Sequence, residues 1–318
     1  MSTETTLRRV GQDAGRATSV VRPARRRKRG PQLKSLLIAC VFLAPLAVFY
    51  GIYYFYGFGF LAQVSTEQVS LSFLNAVNVG WDNFRLVLTD SIFLRSLLNN
   101  LALAAFSVFV ALTLGFLVAM MLASGLRARR LIYTVVLLPS LIPLSLFATV
   151  FGRMLDTRDG AINELLRNVG LGFMAQDWIV NEPSAYAALG ILLTFMIGLP
   201  VIYYTADLGQ VNGSILEAAT LDGASVWQIF RLILFPVLRN THTTVIIAAV
   251  LGSFRAFDIV FFSTGGQPGG RTGIIGTYIY SSALGSDRVG FAAAASIIVL
   301  VIALSLSLVQ LIFSRKNK

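Results

Sequence analysis

The sequence predicts an all-α membrane protein with six transmembrane helices. Charge is scarce: 13% of the 318 residues are charged and 56% are hydrophobic, whereas about a quarter of a soluble domain is charged. The mean hydropathy is +0.73. Six stretches are apolar over the length of about 20 residues that a helix needs to cross a bilayer core. They are 35–60, 97–123, 131–155, 185–206, 241–262 and 289–313. Pro45, Pro139, Pro143 and Pro200 fall inside them, which lipid tolerates where neighbouring groups re-satisfy the freed backbone. These runs are apolar throughout rather than alternating, so a closed β-barrel is not expected.

Net charge is +11, which at first sight suggests a nucleic-acid partner. Its distribution excludes that reading. Residues 1–34 hold ten Lys and Arg (Arg8, Arg9, Arg16, Arg22, Arg25, Arg26, Arg27, Lys28, Arg29, Lys34) against Glu4 and Asp13. This segment is expected to be a basic, disordered tail that sets topology and meets anionic lipid. Residues 35–318 form the expected membrane domain. Cys40 is the lone cysteine and His242 the lone histidine, so neither a disulfide framework nor a multi-histidine metal centre is available. Leu37-Ile38-Ala39-Cys40 has the letters of a lipoprotein cleavage box. It opens an apolar run instead of ending one, so the first span is expected to be an uncleaved anchor.

Orientation follows from Lys and Arg in the short links. The tail, the link with Arg127, Arg129 and Arg130, and the end with Arg315, Lys316 and Lys318 fall on one side of a six-span chain. That side is the cytoplasm, and both termini are expected there. The link after the third span holds Arg158 and Arg167 against Asp156, Asp159, Glu164, Asp177 and Glu182, which fits the outside.

The link 207–240 carries the most pattern. Ser214-Ile215-Leu216-Glu217 has the spacing of a capping box, as does Ser225-Val226-Trp227-Gln228. Gly223 between them suits the left-handed residue that closes a helix. The expected arrangement is a short helix, a glycine turn, and a second helix stopping near Pro236. Ala218 and Ala219 leave the first helix open to close approach. Trp227 and Phe230 give the second an anchoring face.

These residues carry a resemblance. Glu217-Ala218-Ala219-x-x-Asp222-Gly223-Ala224 followed by Ile233-x-x-Pro236 resembles the EAA loop of ABC importer permeases, in the Asp-Gly-Ala form of the carbohydrate importers. Val79-Gly80-Trp81-Asp82-Asn83-Phe84, Leu98-Asn99-Asn100, Leu138-Pro139, Gly160-x-x-Asn163 and Gly198-Leu199-Pro200 are similar to segments of the maltose and glycerol-phosphate type permeases, in order. So are Phe257-Asp258 and Thr264-Gly265-Gly266-x-Pro268. The resemblance covers about 35–313. It departs at Phe235, at Asn212-Gly213-Ser214 and at Met196, where Leu, Pro and Trp are common.

The resemblance implies a type I ABC importer permease in the bacterial inner membrane, forming half of a translocation pathway for a sugar. Glycerol phosphate is the alternative solute. Implied partners are a second homologous permease, two ATPase subunits and an extracytoplasmic solute-binding protein. The EAA loop is then the coupling helix, with Glu217, Ala218, Ala219, Asp222 and Gly223 facing an ATPase. Glu217 has a capping role open to it, Asp222 a turn-stabilising one and Gly223 a purely structural one. The chain has no Gly-Lys pair, hence no phosphate loop. ATP and magnesium belong to the partners, and no cofactor is expected here.

Span five carries unusual charge. Arg255 lies 13 residues beyond His242, about 20 Å along a helix, and Asp258 falls one turn further on the same face. Either the two form an ion pair that fixes helices, or they form a polar wall of the solute path. The resemblance places the sugar-lining part of this span at Ala249, Gly252, Ser253 and Ala256. Tyr203, Tyr204 and Phe254 are the aromatic candidates for stacking on a sugar, with plain packing as the other reading. A secondary transporter, expected to show inverted repeats, and a membrane enzyme, expected to show a nucleophile–base set, find no support in the sequence.

Overall fold

Helices form nearly everything that the computed structural model describes, residues 33–316. The expected basic tail falls almost wholly outside those residues. The chain divides into two compact units, the second being Gly57–Lys318. The described part of the first is helix: α1 runs Leu33–Ser65, and its residues 36–56 are exposed almost throughout. Phe49 stacks on Tyr53 and Tyr50 on Tyr54, at 6.5 and 5.9 Å, the four-residue spacing that brings side chains together on a helix.

The second unit begins with a minimal hairpin, β1 (Glu67–Gln68) antiparallel to β2 (Val77–Asn78), with Glu67 opposite Asn78. Helix α2 (Asp82–Thr89) follows. Helix α3 spans Ser91–Ala123, started by Asp90, whose side chain accepts from the Ile92 amide at 2.8 Å. A π-helical stretch, Ala111–Gly115, lies within it. Helices α4 (Arg129–Leu141) and α5 (Leu144–Met154) meet at a 99° bend at Ile142-Pro143, where proline removes a donor and bars the helix from continuing. Helix α6 is Ala161–Asn168. Helix α7 spans Glu182–Leu208, interrupted by a turn at 195–197. Then come α8 (Gly213–Leu221), α9 (Val226–Val237) and α10 (Arg239–Phe254), the last two bent by 68°. Helices α11 (Phe257–Ser263), α12 (Ile275–Tyr280) and α13 (Val289–Lys316) complete the chain.

Among the described residues four helices are long and apolar enough to cross a membrane, and the bent pairs α4–α5 and α9–α10 raise this to six if each is one crossing. The third span, expected over 131–155, is two helices meeting at the 99° bend, and the fifth, expected as a single helix over 241–262, is also broken. The helix stops at Phe254 and a separate one begins at Phe257.

Between helices in lipid the hydrophobic effect supplies little. Close packing and buried hydrogen bonds hold them instead. Ala148 and Phe151 of α5 meet Ala188, Leu189 and Leu192 of α7 and Ile259 and Val260 of α11 in one cluster. Ala111, Phe116 and Ala119 of α3 meet Tyr204, Leu238 and Val245 in another.

Asparagines, all buried except half-buried Asn99, tie links and helices together. Asn83 donates from Nδ2 to the Ser65 and Glu67 carbonyls at 3.0 and 2.9 Å. Asn99 reaches the Arg271 and Gly273 carbonyls at 2.6 and 2.8 Å. Asn100 reaches the Ser253 carbonyl at 3.2 Å. Asn163, 2% exposed, donates to the Gln176 carbonyl and accepts from the Gln176 amide and from Trp178 Nε1, the last at 2.8 Å. Replacing Asn163 by Ala strands two donors in a closed site. It is expected to destabilise the protein by about 1–3 kcal/mol, read as a lower unfolding temperature in detergent.

Candidate functional site

The hairpin α8–α9 is built by local chemistry. Asn212 caps α8, its Oδ1 accepting from the Ser214 amide at 3.1 Å. This corrects the expected Ser214–Glu217 box. Asn212 lies two residues before Ser214 and is as good a capping residue, so the helix starts earlier and Glu217 is released from capping. The C-terminus closes as a Schellman motif: the Ala224 amide bonds the Ala219 carbonyl at 3.0 Å and the Gly223 amide the Thr220 carbonyl at 3.1 Å. Gly223 takes φ +78°, where an L side chain is strained. The Ser225–Gln228 capping box forms as expected.

The backbone thus closes the turn without Asp222. Glu217 and Asp222 are exposed, and neither side chain has a hydrogen bond or ion pair among the described residues. Leu221, Val226 and Trp227 are exposed beside them, Leu221 at 88%. The result is a rigid, capped helix whose tip combines bare apolar side chains and two free carboxylates. Ala218 is exposed and Ala219 half-buried on the same helix. The inner side of α9 is anchored, as its aromatics suggest: Phe230 packs on Phe116 at 5.4 Å and Trp227 stacks over Phe230 at 5.1 Å.

Further into the membrane domain is a cavity of about 340 Å³ lined by α3, α4, α5, α7, α10 and α11. Helix breaks shape it: Ile142 at the α4–α5 bend, Met196 and Ile197 at the turn in α7, and Ala256 between α10 and α11 all line it. Ala249, Gly252, Ser253 and Ala256, the stretch of span five that the resemblance pointed to, line it, and so does Tyr203. The lining is sparsely polar, with hydroxyls only from Ser107, Ser140, Tyr203 and Ser253. Ser253 spends its proton on the Val250 carbonyl at 2.7 Å.

Ser140 was not singled out by sequence reasoning. Its Oγ is the one buried side-chain polar atom without a hydrogen-bond partner among the described residues. It packs so closely on α7 that a Cβ on Gly198 would lie 2.4 Å from it. Only its place after Leu138-Pro139 hinted at it.

Four sequence-derived pathway residues stand outside this cavity. Tyr204 is fully buried, bonded to His242 Nδ1 at 2.8 Å. Phe254 is half-buried and does not line the cavity. Arg255 is exposed, Asp258 is half-buried, and no ion pair joins them. Arg271–Glu182 is the ion pair among the described residues. The expected pairing assumed one continuous helix, and the break at Arg255-Ala256 takes the two side chains off a common face. Asp258 instead sits in the first turn of α11, where the helix dipole favours a carboxylate.

Residues 86–318 match the family of binding-protein-dependent transport system inner membrane components. The chain belongs to this family. It is a membrane-spanning permease subunit of an importer, not an enzyme. A probable ABC transporter permease of Pyrococcus horikoshii, PH1215, is 28% identical over 92% of this chain and 99% of its own length. The diacetylchitobiose uptake system permease DasB of Streptomyces coelicolor is 28% identical over 72% of this chain and 70% of its own. The fold matches that in a crystal structure of a bacterial ABC transporter involved in import of the acidic polysaccharide alginate. The TM-score is 0.77 at 23% identity, over 89% of this chain and 97% of that one.

The cavity geometry is testable by thiol labelling in a Cys40→Ser background. A cysteine at Gly252, where an added Cβ meets nothing within 4 Å, is expected to react with a small water-soluble methanethiosulfonate. One at fully buried Val260 is expected to stay unreactive.

Proposed function

We propose that this permease moves a carbohydrate through the cavity between α3, α7 and α10, driven by ATPase subunits that dock on the α8–α9 hairpin. The hairpin tip carries the reading. A capped helix that leaves Glu217 and Asp222 unpaired beside exposed Leu221 and Val226 is made to be covered by another protein. Gly223 sets the turn, and Ala218 and Ala219 let the docking surface approach the helix backbone.

On this reading two ATPase subunits hold ATP and magnesium. A second homologous permease supplies the other half of the pathway, and an extracytoplasmic solute-binding protein delivers the solute. The Arg cluster at 127–130 is read as lying at the inner face with the hairpin; both termini are then cytoplasmic and the links near Asn83, Asn99 and Asn163 are outside. The sparse hydroxyls and Tyr203 suit a neutral polyhydroxylated solute. Relatives named for uptake of diacetylchitobiose and of multiple sugars support the same solute class. Ser140 then offers the solute an unused hydroxyl. Exposed Arg255 and half-buried Asp258 face the water-filled path between the two permeases, because a charge at that depth is expensive against lipid.

Two experiments test this. Gly223→Val strains the left-handed turn by about 1–2 kcal/mol, and Glu217→Lys reverses the exposed charge. Each is expected to cut ATPase co-purification and uptake in proteoliposomes, and unchanged assembly and uptake would contradict the docking role. Ser140→Ala removes a hydroxyl that bonds nothing in the protein. Its unfolding temperature is expected to hold or rise while uptake falls, and unchanged uptake would remove Ser140 from the path.

A further inference from the structure

At the base of α10 a single side chain joins three elements. His242 Nε2 faces the Phe235 carbonyl of α9 at 3.2 Å, and Nδ1 faces the Tyr204 hydroxyl of α7 at 2.8 Å. A carbonyl only accepts, so Nε2 carries the proton and Nδ1 accepts from Tyr204. Helices α9 and α10 bend by 68° between Val237 and Arg239, and the imidazole ties the Phe235 carbonyl before that bend to α7. Tyr204 is fully buried and has no other side-chain hydrogen bond.

The neighbouring residue makes a parallel tie. Thr241, 3% exposed, donates to Asp207 Oδ2 at 2.5 Å, one turn along α7 from Tyr204. Aromatic packing fills the space around the imidazole: Phe235 at 4.4 Å, Tyr204 at 5.4 Å and Phe116 at 5.6 Å between ring centroids. The joint adjoins the cavity directly. Tyr203, next to Tyr204, and Val245, one turn from His242, line the cavity.

We infer that His242 is the positioning residue that couples the α8–α9 hairpin to the cavity, making α9, the inner half of α7 and α10 move as one body. The inference rests on the hairpin being the ATPase dock. Movement imposed at α9 reaches α10 through the Phe235 carbonyl and α7 through the Tyr204 hydroxyl, and both helices carry cavity wall within one turn. Without the imidazole bridge the bend at Pro236 becomes a free hinge, and ATP hydrolysis proceeds without moving the wall.

The test uses the complete importer with its partner permease, ATPases and binding protein in proteoliposomes. Uptake and ATP hydrolysis are measured together for Tyr204→Phe, His242→Ala and His242→Gln. Tyr204→Phe keeps the ring packing and removes only the hydroxyl. In it and in His242→Ala, ATPase subunits are expected to co-purify normally and hydrolysis to persist. Solute moved per ATP is expected to fall by about fivefold or more, the range of a typical coupling energy. Gln supplies an acceptor and a donor of similar reach, so His242→Gln is expected to restore much of the ratio. An unchanged ratio in Tyr204→Phe and His242→Ala overturns the inference. So does a proportional fall of uptake and hydrolysis, which marks a structural role, or loss of the ATPases. Failure of the docking reading is separate: it registers in the Glu217 and Gly223 variants, where the joint is intact.

Discussion

Every helix break inside a membrane domain frees backbone groups that lipid cannot satisfy, so each break must line a cavity or be met by a side chain. This constraint organises the molecule. The bend at Ile142-Pro143, the turn at 195–197 in α7 and the interruption at Arg255-Ala256 all border one cavity. The bend between α9 and α10 is met by His242. Away from the cavity, asparagine amides do the same work for the links: Asn99 and Asn163 each satisfy two or more backbone groups. The breaks therefore make the cavity, and the polar groups that repair them decide which parts of the protein move together.

Two neighbouring tyrosines of α7 illustrate the division of labour. Tyr203 and Tyr204 are adjacent in sequence and serve different surroundings. One lines the cavity; the other is buried in the aromatic cluster with Phe116 and His242. Close packing holds the surrounding helices, since water-driven association is absent between them in lipid. Gly198 against Ser140 shows how tight that packing is: one added carbon on α7 would collide with α4.

Much of this was legible in the sequence because composition in a membrane is simple. Apolar length located the spans, and Gly223 with Ser225–Gln228 drew the hairpin. The errors have physical causes. Ser214 and Asn212 are equally good caps, and the chain used the earlier one. Arg255 and Asp258 are spaced for a helix, but the helix stops between them at residues carrying no proline or glycine mark. Tyr204 is indistinguishable from Tyr203 by letter, and which one reaches the cavity depends on the turn at 195–197. Ser140 and His242 matter through their surroundings, which a lone serine or histidine among apolar neighbours does not announce.

The central claim is that the hairpin and the cavity wall form one rigid body. The most direct test is pulsed electron paramagnetic resonance on the assembled importer with Cys40 replaced by Ser. One spin-label pair sits at Leu232 and Thr244, exposed on α9 and α10; a second sits at Leu232 and Leu304, exposed on α13. Trapping the ATP-bound state is predicted to leave the first distance unchanged and to shift the second. A first distance that changes on ATP binding would contradict the account, because α9 would then be swinging freely about the bend at Pro236.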